Sequence, residues 1–128
     1  MANEIFAFSK YLRLLNARDY KAVFDDAPFR ASHQHILVLS KPNLNPKPRL
    51  GLVIAKKNVR LAVQRNRIKR ILRESFRLNQ HQLPCLDFVV LARRNLDSLD
   101  NQQLHELFQK QWQKIINKAK NQGASGAQ

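Results

Sequence analysis

A chain of 128 residues has room for one modest domain, and its 23 Lys and Arg against 9 Asp and Glu leave a net charge of +14. With 44% hydrophobic residues and only 3 Gly and 5 Pro, the composition excludes a disordered or fibrous chain. The charge excess calls for a polyanion, nucleic acid ahead of an anionic membrane, because membrane binding needs an anchor or a basic helix with an exposed apolar face. No apolar run approaches the ~20 residues of a membrane span, and "MANEIFAFSKYLRLL" lacks the basic-then-apolar plan of a secretion signal. Cys85 is the sole cysteine, so no internal disulfide forms; its apolar context "LPCLDFVVLA" predicts a buried thiol and fits a reducing cytoplasm.

In chain order, Asn16 can cap the run "ARDYKAVF", with Asp19 three residues on, and Tyr20, Val23 and Phe24 share one helical face. A short helix at about 17–25 follows. Pro28 breaks that pattern, and "FRASHQHILVLSK" reads as two extended pieces, Phe29 to Ser32 and Gln34 to Ser40. Past the loop "KPNLNPKPR", the unbroken apolar run Leu50 to Ala55 predicts a strand covered on both faces. A basic helix spans about Val59 to Gln80, and "DFVVLARR" supplies a last strand, Phe88 to Ala92. Leu104, Leu107, Phe108, Trp112, Ile115, Ile116 and Ala119 then have the spacing of an amphipathic helix, with Ser98 or Asp100 as its cap.

The order helix, strand, strand, strand, helix, strand, helix predicts an α+β fold, an α/β sandwich around one central sheet. Residues 1–120 form a single domain and 121–128, "NQGASGAQ", a disordered tail. The strands at Leu50 and Phe88 are parallel if they lie in the same sheet, since a crossover helix joins them.

The segment "AVQRNRIKRILRESFR", Ala62 to Arg77, holds Arg65, Arg67, Lys69, Arg70, Arg73 and Arg77 against the single acid Glu74. A turn of about 100° per residue gathers Leu61, Ile68, Ile71, Leu72, Ser75 and Phe76 on the face that meets the sheet. Asn66, Arg70, Arg73 and Arg77 line up opposite; Arg65 and Lys69 flank one edge and Arg67 the other. Like charges three or four residues apart cost a few tenths of a kcal/mol per pair, and Glu74 relieves only Arg67 or Arg70. Solvated faces usually intersperse Glu with Lys, so this ridge is arranged for phosphates. The preponderance of arginine favours bidentate phosphate contacts and stacking on bases, and Asn66 suits a base edge or a 2′-hydroxyl. Lys56, Lys57 and Arg60 widen the basic patch.

Bond-breaking chemistry has no comparable signature. Asp25 and Asp26 are the only adjacent acids and read as loop solvation; Asp97 and Asp100 look like caps. His33 and His35 would share one face of a strand, and neither they nor Cys85 make a zinc spacing or a Cys–His nucleophile by sequence alone. No Gly-rich phosphate loop is present.

"RLGLVIAKKNVRLAVQRNRIKRILRESFR", with "RLLNARDYKAVF" before it and "DFVVLARR" after it, resembles the protein subunit of bacterial ribonuclease P, from about Phe8 to Ile116. The resemblance implies the sandwich just described with a left-handed strand–helix–strand crossover, as in the ribosomal protein S5 domain 2-like fold, where the general rule predicts a right-handed one. It implies an RNA-binding subunit of an endoribonuclease holoenzyme that removes the 5′ leader of precursor tRNA. On this resemblance a catalytic RNA with Mg2+ would carry the chemistry, no catalytic residue and no metal site would reside in the protein, and no obligatory protein partner is expected. Arg60, Arg65, Asn66, Arg67, Lys69, Arg70, Arg73 and Arg77 would contact the catalytic RNA. Tyr20, Phe24, Lys56 and Lys57 would line a cleft for the single-stranded leader, with core packing as the competing role for Tyr20 and Phe24. A ribosomal or general RNA-binding protein, suggested by charge alone, and a metal-dependent nuclease built on Asp25 and Asp26 are the competing functions.

Overall fold

The computed structural model describes residues 17–43 and 47–127, with side chains as far as Asn121; the cap expected at Asn16 lies outside the described residues. Helix α1, Ala17–Asp25, forms where the periodicity places it. Strand β1 is Phe29–Ser32 and β2 is Ile36–Pro42. Between them His33 N–H donates to the Ile36 carbonyl at 2.8 Å and His35 N–H to His33 Nδ1 at 3.0 Å. That tight turn withdraws His33 and His35 from the strand in which the sequence placed them.

Strand β3 is Arg49–Val53, helix α2 Ala62–Asn79, strand β4 Leu86–Ala92 and helix α3 Asn101–Ala127, the last preceded by a 3-10 turn at Leu96–Ser98. The strands form one sheet in the order β1-β2-β4-β3, antiparallel except for the parallel pair β3 and β4. The conditional expectation of a parallel crossover therefore holds. Asp100 is the cap of α3: its Oδ1 accepts from Gln103 N–H at 2.8 Å while Gln103 Oε1 accepts from Asp100 N–H at 2.9 Å, a reciprocal capping box. Helix α3 continues to Ala127, through the stretch expected as a tail. No proline follows Pro84 to stop it, and each added residue of an existing helix gains one hydrogen bond.

Strand side chains alternate between faces, so β2 and β4 feed two cores. On one face Ile36, Val38, Phe88 and Val90 meet Ile68, Leu72 and Phe76 of α2 and Leu104, Phe108, Trp112 and Ile115 of α3. Trp112 Nε1 donates to Ser75 Oγ at 2.9 Å, which satisfies both buried polar groups and ties the two helices. On the other face α1 lays Val23 on Leu39 and Val89, a smaller core bordered by Tyr20, Ala27, Leu37, Val53 and Leu91.

The end of the sheet under α1 is fixed by charge. Asp87, 8% exposed, accepts from Arg49 Nε and Nη2, both at 2.8 Å, and from Asn43 Nδ2 at 2.7 Å. Asp19 of α1 approaches Arg49 at 3.6 Å. Hydrogen bonding to the Asp87 carboxylate holds the Arg49 pKa above its ordinary value. Cys85, immediately before β4, is exposed, contrary to the buried thiol expected: the strand and its alternation begin only at Leu86.

Candidate nucleic-acid interface

Helix α2 separates its faces as the wheel predicts. Ile68, Ile71, Leu72, Ser75, Phe76 and Asn79 are buried, whereas Asn66 and Arg70 are exposed and Lys69, Arg73 and Arg77 half-buried. Among the described residues no carboxylate pairs with Arg70 or Arg77. Leu61 departs from the expected core stripe: it is the N-cap, with extended φ −86° and ψ 131°, and is 52% exposed. The helical wheel does not apply to a residue outside the helix. The first turn of α2 carries no acid and no side-chain cap, so its positive dipole end adds to the basic surface beside Arg60, which is exposed.

The two arginines off the ridge are spent within the protein. Arg65 Nη1 donates to the carbonyls of Val59 at 3.1 Å and Arg60 at 2.8 Å, which folds the approach to α2 against its first turn. Arg67 donates to Gln64 Oε1 and Asn101 Oδ1, both at 2.8 Å, and to the carbonyls of Asp97 at 3.2 Å and Leu99 at 3.1 Å. It thereby pins α2 to the start of α3. Arg67→Ala is expected to cost about 1–2 kcal/mol in urea unfolding, at roughly 1 kcal/mol net per hydrogen bond with the exposed acceptors regaining water. Arg70→Ala should stay within about 0.5 kcal/mol.

A second basic region lies across the sheet, beside α1. Register defines rows of side chains on that face: Lys41–Asp87–Arg49, then Leu39–Val89–Gly51, then Leu37–Leu91–Val53. Asp19 reaches Arg49 at 3.6 Å and Asp26 reaches Lys41 at 3.9 Å, so α1 crosses over the first two rows. The third row is left half-exposed. On the helix, Asp19 occupies one flank and Tyr20 and Phe24 the other, the flank toward that third row, with Asp26 and Ala27 just past its end. A groove results, with the row Leu37–Leu91–Val53 as floor and Tyr20 and Phe24 as wall.

Tyr20 is half-buried, and its hydroxyl accepts from Leu52 N–H of the edge strand β3 at 3.2 Å. A tyrosine hydroxyl that accepts still has its proton to donate into the groove. Phe24 is 46% exposed, an apolar ring left in water. The competing core role thus falls to Tyr20, which borders the small core, more than to Phe24. Lys56 and Lys57, both exposed, follow Val53 in a turn closed by Asn58 N–H to the Ala55 carbonyl at 3.0 Å. Asn58 Nδ2 fastens that turn to the Ala92 carbonyl at 2.9 Å. At the same end of the sheet Arg93 N–H donates to the His35 carbonyl, which extends the floor by one polar row.

The acids do not converge. Asp25 pairs with Lys21 at 2.6 Å and Asp26 with Lys41, both at the surface, and among the described residues no group of three or more His, Cys, Asp or Glu side chains gathers to hold a metal ion. His33 has a pKa below the ordinary value, first because burial disfavours its charged form and then because His35, Lys114, Lys110 and Arg93 repel it. Its Nδ1 is already an acceptor for His35 N–H.

A four-stranded sheet with one helix on one face and two on the other, one of them carrying an arginine ridge, defines an α+β protein with a strongly basic helix face. The chain matches the family model described as Ribonuclease P over residues 8–116. It is 53% identical over 114 residues to the ribonuclease P protein component of Saccharophagus degradans, covering 89% of this chain and 84% of that protein. The corresponding protein of Pseudomonas aeruginosa is 50% identical over 109 residues, 85% of this chain and 81% of that protein. Among solved structures, the RNase P protein from Thermotoga maritima in complex with 1-(4-fluorophenyl)-2-thiourea superposes with a TM-score of 0.73 at 30% identity, covering 80% of this chain and 99% of that one. That of Staphylococcus aureus, at 24% identity, TM-score 0.71 and coverage of 85% and 95%, shows the same fold. The chain belongs to the ribonuclease P protein family.

Proposed function

We propose that the chain is the protein subunit of a ribonuclease P ribonucleoprotein: it binds a catalytic RNA through α2 and the 5′ leader of precursor tRNA through the groove beside α1, and so assists endonucleolytic leader removal. The observation that carries this reading is the Asn66–Arg70 ridge, exposed opposite a buried face and, among the described residues, without a carboxylate partner at Arg70, in a chain of this family. Lys69, Arg73 and Arg77 extend the contact along the helix. Exposed Arg60 adds charge at its entrance, which Arg65 and Arg67 hold in shape through their hydrogen bonds to neighbouring carbonyls and side chains.

In the groove, Phe24 offers a ring for a base to stack on, Tyr20 a hydroxyl, and Lys56 and Lys57 charge for the backbone, the combination that suits single strands irrespective of sequence. Magnesium in this reading would be held by the RNA and would supply charge neutralisation at the reacting phosphate; the protein contributes position and charge. No described helix is long and apolar enough to cross a membrane, and the reading places the work in the cytoplasm without an obligatory protein partner.

The test is purified protein mixed with precursor tRNA in magnesium, with and without the cognate catalytic RNA. Leader removal should require the RNA and become faster or tolerate less magnesium with the protein; robust cleavage by the protein alone refutes the reading. Phe24→Ala should weaken binding of leader-bearing precursor by about 1–3 kcal/mol, leave mature tRNA affinity unchanged and leave the melting temperature within a degree or two. Equal losses for both tRNAs would remove Phe24 from the leader.

A further inference from the structure

The groove does not end at the sheet. Its floor row continues from Leu37 to Ser32 on the outer strand β1, and there Arg93 Nη1 donates to Ser32 Oγ at 2.9 Å and to the His33 carbonyl at 2.8 Å, which sets a guanidinium at the exit. Past that edge lies α3, lashed along β1 by Gln111 Nε2 donating to the Ala31 carbonyl at 2.9 Å and by Lys118 Nζ donating to the Arg30 carbonyl. Buried Gln111 fixes the rotation of α3, so Lys110, Lys114 and Lys118, spaced i, i+4 and i+8 and all exposed, form a file beside β1.

The file carries the same physical signature as the ridge on α2. Like charges at i,i+4 oppose the helix, and Glu106, one turn before Lys110 and lining the same cleft with His33 and His35, is the single acid beside it. Solvation did not require these lysines, because much of the remaining exposed surface of α3 is neutral amide: Gln102, Gln109, Gln113 and Asn117. The cations nearest β1 act together on His33, whose protonation Lys114, Lys110 and Arg93 all oppose. Arg30 and Arg94, also exposed, border the path on either side of the hairpin turn.

We propose that Lys110, Lys114 and Lys118 are a second phosphate track, continuous with the groove over the β1 edge, that holds leader nucleotides upstream of those seated in the groove. The inference rests on the leader reading above and adds to it a site for longer leaders. The protein then grips a leader twice, by stacking and charge in the groove and by charge alone along α3.

The experiment uses the full chain assembled with its catalytic RNA and precursor tRNAs whose leaders are lengthened one nucleotide at a time. Wild-type affinity should rise again once the leader is long enough to pass β1. In the triple variant K110Q/K114Q/K118Q that second rise should vanish, and for the longest leader the slope of log K against log salt should flatten by about 2, as for three contacts to a single strand at about 0.7 each. Short-leader affinity and catalytic RNA affinity should be unchanged, the melting temperature should fall by no more than about a degree or two for the loss of the Lys118 contact to the Arg30 carbonyl, and K110R/K114R/K118R should keep the rise. An undiminished second rise in the glutamine variant overturns the track, as does a loss shared with short leaders or a loss of catalytic RNA binding. Wild-type affinity that ignores leader length altogether overturns the leader reading and the track with it, a result distinct from either of those.

Discussion

Phe76→Ala is expected to lower the stability of the fold by about 3–5 kcal/mol and its melting temperature by roughly 10–20 °C. Phe76 is fully buried and meets Phe88 of β4 and Trp112 of α3, with centroids 5.5 Å away in both cases and interplanar angles of 75° and 74°. Phe88 and Trp112 meet each other at 5.8 Å and 85°. Each pair places the positive edge of one ring on the negative face of another, an arrangement worth about 0.5–1.5 kcal/mol beyond the area buried. Truncation removes two of the three pairs and opens a cavity where α2, β4 and α3 join, a junction the surrounding backbone cannot close without moving all three. A fall of only a few degrees in a thermal melt would show that the sides of α2 have been assigned wrongly, and the ridge opposite Phe76 would lose its basis.

The second large effect is on binding. With about six phosphates neutralised along α2, log K for the catalytic RNA should fall against log salt with a slope near −4 to −5, a loss of several hundredfold between 50 and 200 mM salt. Arg70→Ala should reduce that slope by about one unit while the protein melts as before. The contrast with Arg67→Ala is informative, because Arg67 holds the entrance of the helix through Asp97, Leu99 and Asn101 and its loss should appear in unfolding as well as in binding. A salt response near zero would show that the charge of +14 is not directed at phosphates by this helix.

Much of the fold was legible in periodicity. Tyr20, Val23 and Phe24 mark α1, the continuous apolar runs mark strands with a core on each face, and Ile68, Ile71, Leu72 and Phe76 mark the buried side of α2. What periodicity could not show is where a helix starts. Leu61 continues the apolar stripe in sequence, yet the turn at Ala55 to Asn58 and an extended Leu61 delay α2 to Ala62, and the side chain falls outside. Val59, just before it, is fully buried instead.

The arginines teach a related lesson. Arg65, Arg67 and Arg70 are indistinguishable by composition, and only their angular positions on the helix separate them. The two off the ridge find carbonyl acceptors at Val59, Arg60, Asp97 and Leu99, which are supplied by loops whose paths no local pattern encodes. The Asp87–Arg49–Asn43 cluster was missed for the same reason, though it did leave a signal: an acid inside an apolar strand covered on both faces must find a cation, and Arg49 opens the neighbouring strand. The groove was harder still. Its floor exists only because β2, β4 and β3 bring Leu37, Leu91 and Val53 into one row, a property of register and not of any one segment.

The central claim is that two surfaces of this small domain hold two different RNAs, and site-directed crosslinking in the assembled holoenzyme tests it most directly. Cys85 is exposed, so it is first replaced by Ser, and a photoreactive group is then attached to Arg70→Cys or to Phe24→Cys. Position 70 should join to the catalytic RNA and position 24 to the leader of precursor tRNA. Attachment of both positions to the same RNA, or of position 24 to mature tRNA as readily as to the leader, would contradict it.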